Sequence, residues 1–153
     1  MAIRRNVGDK LLRSRQGAAA VELAIVSPFL CFLFVISVDY ARVFYYGMTL
    51  ENAARSGAYY ASNYPGIYGY TSAQQTSLGD TTNLSPAPTV SVLYSYSASG
   101  PYTSSTPISN GYVQVKVNWT FRTVTTYPGI PKETMLSRTC RMKVAPITPT
   151  FSN

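Results

Sequence analysis

Residues 18–38 form an apolar run of 21 positions in which Glu22 is the only charge. At about 1.5 Å per residue, a helix of that length is roughly 31 Å long and matches the ~30 Å hydrocarbon core of a bilayer. The pattern stays helical beyond the run. Ile36, Tyr40, Val43, Gly47, Leu50, Ala54, Gly57 and Ala61 recur at alternating steps of four and three, a seam of period 3.5 that is rich in small residues. Glu51 and Arg55 stand four apart off that seam, in the favourable order. Pro28 removes a backbone donor in mid-span and predicts a local loosening. Pro65-Gly66 predicts the helix end near 62–65. Residues 63–88, rich in Tyr, Gly, Ser, Thr and Pro, read as a connection too polar to pack well alone.

After that connection the period becomes two. Val90, Val92, Tyr94 and Tyr96 alternate with Ser91, Leu93 and Ser95. Residues 99–110 read as loop, punctuated by Gly100-Pro101 and Asn110-Gly111. Val113, Val115, Val117, Trp119 and Phe121 then share one face, opposite Gln114, Lys116, Asn118, Thr120 and Arg122. Tyr127-Pro128-Gly129-Ile130-Pro131 breaks the pattern, and a last strand is predicted over 138–145, with Cys140, Met142 and Val144 inward. Three strands with one apolar face need a cover. The amphipathic helix supplies it, so the implied fold is α+β: a long N-terminal transmembrane and amphipathic helix packed on a small antiparallel sheet of about three strands. The organisation read from these patterns is a basic leader at 1–17, a transmembrane helix at 18–38, its amphipathic extension at 39–62 and a β-rich extracytoplasmic head at 63–153.

Charge gives the span a direction. Residues 1–17 carry Arg4, Arg5, Lys10, Arg13 and Arg15 against Asp9, while only Arg42 follows the run closely. The positive-inside rule therefore puts the N-terminus in the cytoplasm. Tyr40, Phe44, Tyr45 and Tyr46 fall where an interfacial aromatic belt belongs, and packing on the head is the other use for them. A cleaved secretory signal would have a shorter apolar region ending in small-x-small. Here Ser37-Val38-Asp39-Tyr40 offers no such site, and the small residues Gly17-Ala18-Ala19-Ala20 come before the run. The net charge of +7 does not describe a single basic face, because 1–17 and 62–153 each contribute +4 and 18–61 contributes −1. Lys116, Arg122, Arg141 and Lys143 share the predicted exposed face of the sheet, but the aromatics alternate away from it, so no nucleic-acid partner is expected. Cys31 and Cys140 are too far apart in kind and place to suggest a disulfide framework.

The junction Arg15-Gln16-Gly17-Ala18-Ala19-Ala20-Val21-Glu22-Leu23 has the form of a type IV prepilin processing signature: basic leader, glycine, small residues, and a glutamate five places on. Cleavage between Gly17 and Ala18 would leave Ala18 as a new N-terminus. A carboxylate about 6 Å into a span by helix rise is costly to bury and needs a partner or a route to water. In a stack of like helices the α-ammonium of a neighbouring Ala18 would serve, and the pairing would set the axial register. A glutamate that snorkels or is protonated is the plainer alternative. The longer stretch from Gln16 to Pro28, followed by Asp39-Tyr40-Ala41-Arg42-Val43-Phe44-Tyr45 and Leu50-Glu51-Asn52-Ala53-Ala54-Arg55-Ser56-Gly57-Ala58, resembles the opening of TadE-like proteins, the minor pseudopilins of Tad/Flp tight-adherence pilus systems. The resemblance covers about residues 15–60. Leu23 departs from it, standing where the family usually has Phe or Tyr.

What the resemblance implies is a type IV pilin-like fold and insertion in the bacterial inner membrane, with the head periplasmic or otherwise extracytoplasmic. It also implies maturation by a prepilin peptidase and partnership with pilin or pseudopilin subunits and the pilus assembly platform. On this reading Gly17 and Ala18 are the processing site and Glu22 sets assembly register. Val43, Gly47, Leu50, Ala54, Gly57 and Ala61 pack the helix, on the chain's own sheet toward the C-terminal end and on other helices nearer the membrane. The alternative is an uncleaved single-pass anchor presenting a periplasmic ligand-binding module. Enzymatic chemistry is not expected. The chain has no histidine, only Asp80 and Glu133 as carboxylates beyond the helix, and no phosphate loop, G-x-S-x-G or C-x-x-C. No cofactor, metal or catalytic residue is assigned. Asn83-Leu84-Ser85 and Asn118-Trp119-Thr120 fit the glycosylation acceptor pattern, which is common by chance.

Overall fold

The computed structural model describes residues 7–65, 69–124 and 131–146, with side chains from Gly17 onward. Five elements follow in order: α1 (Val7–Asn63), α2 (Gly69–Gly79), β1 (Thr89–Ser95), β2 (Tyr112–Arg122) and β3 (Glu133–Lys143). The chain is α+β. It divides into two compact units, Met1–Ala41 and Arg42–Asn153. Among the described residues the first unit is helix alone, and α1 runs unbroken through Pro28.

The second unit is the head. Its sheet has the order β1-β2-β3 and is antiparallel throughout. Val92 and Tyr94 of β1, Val113, Val115, Val117, Trp119 and Phe121 of β2, and Leu136 of β3 turn to one face and are buried. Complete burial of one such aliphatic side chain is worth roughly 1.5–3 kcal/mol. Against them α1 sets Leu50, Ala53, Ala54, Ala58 and Ala61, all buried. Residues 42–63 run in the same direction as β3. Gly47 lies against the Arg138 guanidinium, whereas Ser62, fifteen residues on, accepts a hydrogen bond from the Ala145 N–H at 2.8 Å.

Several expectations need correction. The described part of 63–88 is more than a connection. It contains α2, and Ala73, Ser77, Thr81 and Leu84 are buried. Its packing is by close approach instead of apolar bulk: a Cβ on Gly57 would fall inside the van der Waals envelope of Ser77 Oγ and 3.0 Å from the Ala73 carbonyl oxygen. Gln74 Nε2 then donates to the Val90 carbonyl at 2.9 Å, tying α2 to β1. Tyr96 is 85% exposed, because β1 ends at Ser95 opposite Tyr112. β3 begins at Glu133, five residues before the expected start. Arg138 occupies an inward-facing position there and hides the alternation of Thr134, Leu136, Cys140 and Met142. Val144 lies beyond the strand but is buried, its N–H bonded to the Gly111 carbonyl at 2.9 Å.

The loop over 99–110 includes a bridge between Tyr94 and Ser104. It returns through Asn110, whose φ of 58° lies in the left-handed region, and Gly111, where a Cβ would sit 2.6 Å from the Ser95 carbonyl oxygen. Helix α1 ends at Asn63, within the expected interval. Gly66 of the first breaker and Thr125 to Ile130, which include most of the second, lie outside the described residues. Lys116, Arg122, Arg141 and Lys143 do share the exposed face, and Arg122 pairs there with Glu133 at 3.0 Å. Both partners are largely exposed, so the pair contributes at most about 1 kcal/mol.

Two measurements check this packing. Gly57→Ala pushes α1 off α2 and is expected to destabilise the head by about 1–3 kcal/mol, read as a lower midpoint in thermal unfolding of the detergent-solubilised chain. An unchanged midpoint would show that the close approach is not required. Tyr94 has a buried hydroxyl without a hydrogen-bond partner, and burial pushes its pKa up to about 12 from 10.0. The unfolded chain loses that proton first, so stability is expected to fall as pH rises from about 10 toward 12. Tyr94→Phe is expected to remove this component of the decline and to cost little at neutral pH. Equal alkaline profiles for the two proteins would contradict it.

Candidate functional site

The span and its junction are the candidate site. Helix α1 is long and apolar enough to cross a membrane between Gly17 and Asn63, and its most apolar stretch is entirely unburied. Val21, Leu23, Ile25, Phe29, Leu30 and Phe34 are all more than half exposed, with apolar side chains all round the helix. Such a surface has no counterpart on an ordinary monomeric soluble protein. A helix is suited to hydrocarbon because its backbone hydrogen bonds are internal. Within the span, Ser37 returns its hydroxyl to the Leu33 carbonyl at 2.9 Å, which satisfies that donor without a partner helix.

Gly17 lies inside α1, with nothing within 4 Å of where a Cβ would stand. No close packing asks for glycine there, although glycine costs a helix interior about 1 kcal/mol relative to alanine. Ala18 and Glu22 are exposed one helical turn apart, the carboxylate standing among the apolar side chains of the span. The seam residues have another fate. Val43 is half-buried, and Gly47, Leu50, Ala54, Gly57 and Ala61 are buried in the head. Gly47 holds the Arg138 guanidinium, Nη2 lying 3.1 Å from the position of an added Cβ. Tyr40 is exposed.

The sequence reading missed a cluster at the start of the head. Tyr46 packs on Trp119 with ring centroids 4.9 Å apart and on Phe121 at 6.0 Å. The Arg42 guanidinium stands 5.2 Å from the Phe121 centroid and 5.9 Å from that of Tyr46. Trp119 Nε1 donates to the Pro86 carbonyl at 2.8 Å. The available signal was the step from Arg42 to Tyr46, one turn apart, together with an inward aromatic pair on β2. Arg42 thus caps an aromatic stack where the chain leaves the span, the arrangement that cation–π attraction favours.

On the other side of the helix, Ser56 Oγ donates to Asp80 Oδ2 at 2.5 Å and Asn83 Nδ2 reaches the Tyr45 hydroxyl at 3.5 Å. These contacts close the α2–β1 link on α1. They hold Asp80 as a structural acceptor.

With this geometry in view, the comparison with protein families is specific. Residues 17–58 match the family model described as TadE-like protein. Over that stretch the chain is similar to TadE-like proteins. The match opens on the Gly17–Ala18 junction and closes on Ala58, so it takes in the span and most of the head-facing stretch of α1 and stops before α2 and the sheet. No match was found among curated proteins or among solved structures. The TadE-like helix associates the chain with a Tad pilus system, and one N-terminal apolar helix fits a single-pass membrane anchor.

Proposed function

We propose that this TadE-like chain is a pseudopilin-like subunit needed to assemble a Tad/Flp-type pilus for surface attachment. A prepilin peptidase matures it at the Gly17–Ala18 bond. Its N-terminus faces the cytoplasm, its span lies in the inner membrane, and its head is extracytoplasmic. The observation that carries this reading is Glu22, one turn from Ala18 and the only charge in an apolar run whose surface is exposed. A lone carboxylate in hydrocarbon calls for a specific counter-charge. Hydrolysis of the Gly17–Ala18 bond supplies one, because water adds to the Gly17 carbonyl carbon and Ala18 leaves as an amine that is protonated at neutral pH. The Ala18 ammonium of one subunit then meets Glu22 of the next, and the offset of four residues sets a stagger of about 6 Å. Gly17 supports the same reading, since a backbone that must enter a peptidase benefits from glycine where packing does not demand it.

The chain acts by assembly and not by catalysis. The acidic side chains of the head already have structural partners, Glu51 with Arg55, Asp80 with Ser56 and Glu133 with Arg122. The bilayer, the peptidase, neighbouring pilin or pseudopilin subunits and the assembly platform are its partners.

The N-terminal mass of protein purified from its native membrane tests maturation. A species beginning at Ala18 is expected. Intact residues 1–17 in a host with an active prepilin peptidase would sink the processed-subunit reading and favour an uncleaved anchor. Glu22→Ala is expected to insert at normal levels but to abolish most pilus formation, scored by electron microscopy of cells. Normal piliation in that variant would remove the register role.

A further inference from the structure

The two edges of the sheet are treated differently. In β1, Tyr94 exchanges both backbone hydrogen bonds with Ser104, at 2.7 and 3.3 Å, and the Val90 carbonyl is taken by Gln74. These groups point away from β2, so the β1 edge is closed by the Ser104 bridge and by α2. The β3 edge is different. Its ladder with β2 can be phased from two bonds at its ends, Val144 N–H to the Gly111 carbonyl at 2.9 Å and Thr123 N–H to the Lys132 carbonyl at 3.1 Å. Both fall in the register that pairs Tyr112 with Lys143 and Arg122 with Glu133. In an antiparallel pair, alternate residues direct both backbone groups to the same neighbour. The even-numbered residues of β3 therefore bond β2, and Glu133, Met135, Ser137, Thr139, Arg141 and Lys143 direct their N–H and C=O groups away from the sheet.

The local contacts agree with this phasing. Arg138 Nη1 donates to the Ser137 carbonyl, one of these outward groups, at 3.0 Å. The next outward donor, Ala145 N–H, is taken by Ser62 at the end of α1. Between these points no strand lies beyond β3 among the described residues. The edge has 11 residues, roughly 36 Å of extended chain. That is long for an edge without a bulge or a covering element.

The charges beside this edge are one-sided. On the outer face Arg141 bonds Gln114 Oε1 at 2.9 Å and lies 5.1 Å from the Tyr102 centroid, Lys116 stands opposite Thr139, and Lys143 closes the strand. The carboxylate of that face, Glu133, is held by Arg122 at the far end. A strand added to β3 would set its side chains about 4.5–5.5 Å from Thr139, Arg141 and Lys143, where acids are favoured and bases are penalised.

A second copy does not suit this edge. Pairing two β3 strands antiparallel about a twofold would also reverse residues 42–63, which run with β3. The two Arg42 ends, from which the spans lead, would then face opposite ways, which does not suit two chains anchored on one side of a bilayer. Head-to-tail addition onto β1 meets Ser104 and Gln74. This exclusion rests on the span crossing a bilayer.

We infer that the open edge of β3 takes an extended segment of another protein as a fourth strand, and that this segment carries carboxylates on the sheet's outer face beside Thr139, Arg141 and Lys143. Backbone pairing supplies the attachment and the cationic face supplies the choice of partner, as in strand addition generally.

The test uses the full chain in phosphatidylcholine nanodiscs and a short blocked peptide of alternating valine and glutamate, with a valine–lysine peptide as the contrast. Saturating glutamate peptide is expected to slow amide exchange at Thr139 and Lys143 by about tenfold or more, and the lysine peptide is expected to leave it unchanged. Thr139→Pro removes one outward donor without touching the β2 ladder and is expected to weaken peptide binding by about tenfold, a loss of about 1.4 kcal/mol. Thr139→Val is expected to bind as the parent does. Arg141→Glu is expected to shift the preference toward the lysine peptide. Unchanged exchange at millimolar glutamate peptide, an equal response to both peptides, or an edge already protected by self-association without peptide would each overturn the proposal. None of these readouts involves pilus formation, so failure here leaves the assembly reading standing on its own tests.

Discussion

One helix has to satisfy two solvents, and the rest of the molecule follows from how α1 does so. An α-helix spends its backbone hydrogen bonds internally, so it can cross hydrocarbon and pack on a sheet without changing conformation. Only the side chains have to change. Over 18–38 they are mostly apolar, and the large ones are exposed all round the helix. Over 47–61 one face shrinks to Gly47, Ala53, Ala54, Gly57, Ala58 and Ala61, and that face is buried. Small side chains bring the helix axis close to its neighbours, which is why α2 can face α1 with alanine and serine and still exclude water at Ala73 and Ser77. The head core depends on this proximity as much as on the valines of β2.

The same economy of bulk explains what could be read from the residues and what could not. The span was legible because 21 residues with one charge have few alternatives, and β2 was legible because five apolar side chains alternate without a break. The α+β architecture followed from the same two periodicities, and the end of α1 from the Pro65-Gly66 breaker. Helix α2 was not legible. Its buried residues carry little hydrophobic signal, and the feature that makes it pack, the missing Cβ at Gly57, lies in a different element. The early start of β3 was hidden by Arg138, an inward position filled by a side chain long enough to reach past the helix at Gly47. At the candidate site, the junction and Glu22 were legible because they are local in sequence. The Arg42 stack on Phe121 and Tyr46 was not, since half of it comes from β2.

The family match has a physical boundary as well as a sequence one. It ends at Ala58, inside α1, while the helix continues to Asn63 and the sheet lies wholly beyond it. The matched residues are the ones that answer to common surroundings, a bilayer and the first packing layer of a head. Lys116, Arg141 and the open β3 edge lie outside the match. The family resemblance therefore says nothing of what the head edge meets, and the proposed roles of the helix and of that edge can be tested separately.

That separation bears on where assembly contacts can come from. A small-residue seam in a membrane-anchored helix is ordinarily taken as a helix–helix interface, because close axes compensate for the absence of a hydrophobic driving force between helices in lipid. Here the seam from Gly47 onward is already filled by the chain's own sheet and by α2. It cannot serve a second helix without unpacking Leu50 and Ala54 from the core, at a cost of several buried side chains. On the proposed assembly reading, helix-mediated contacts with other subunits would therefore use residues before Gly47, where the surface of the span is dominated by Leu, Ile, Val and Phe and offers little geometric specificity. In such a stretch one charged group can define a register that aliphatic contacts leave open, and Glu22 is the only residue of 18–38 with that capacity.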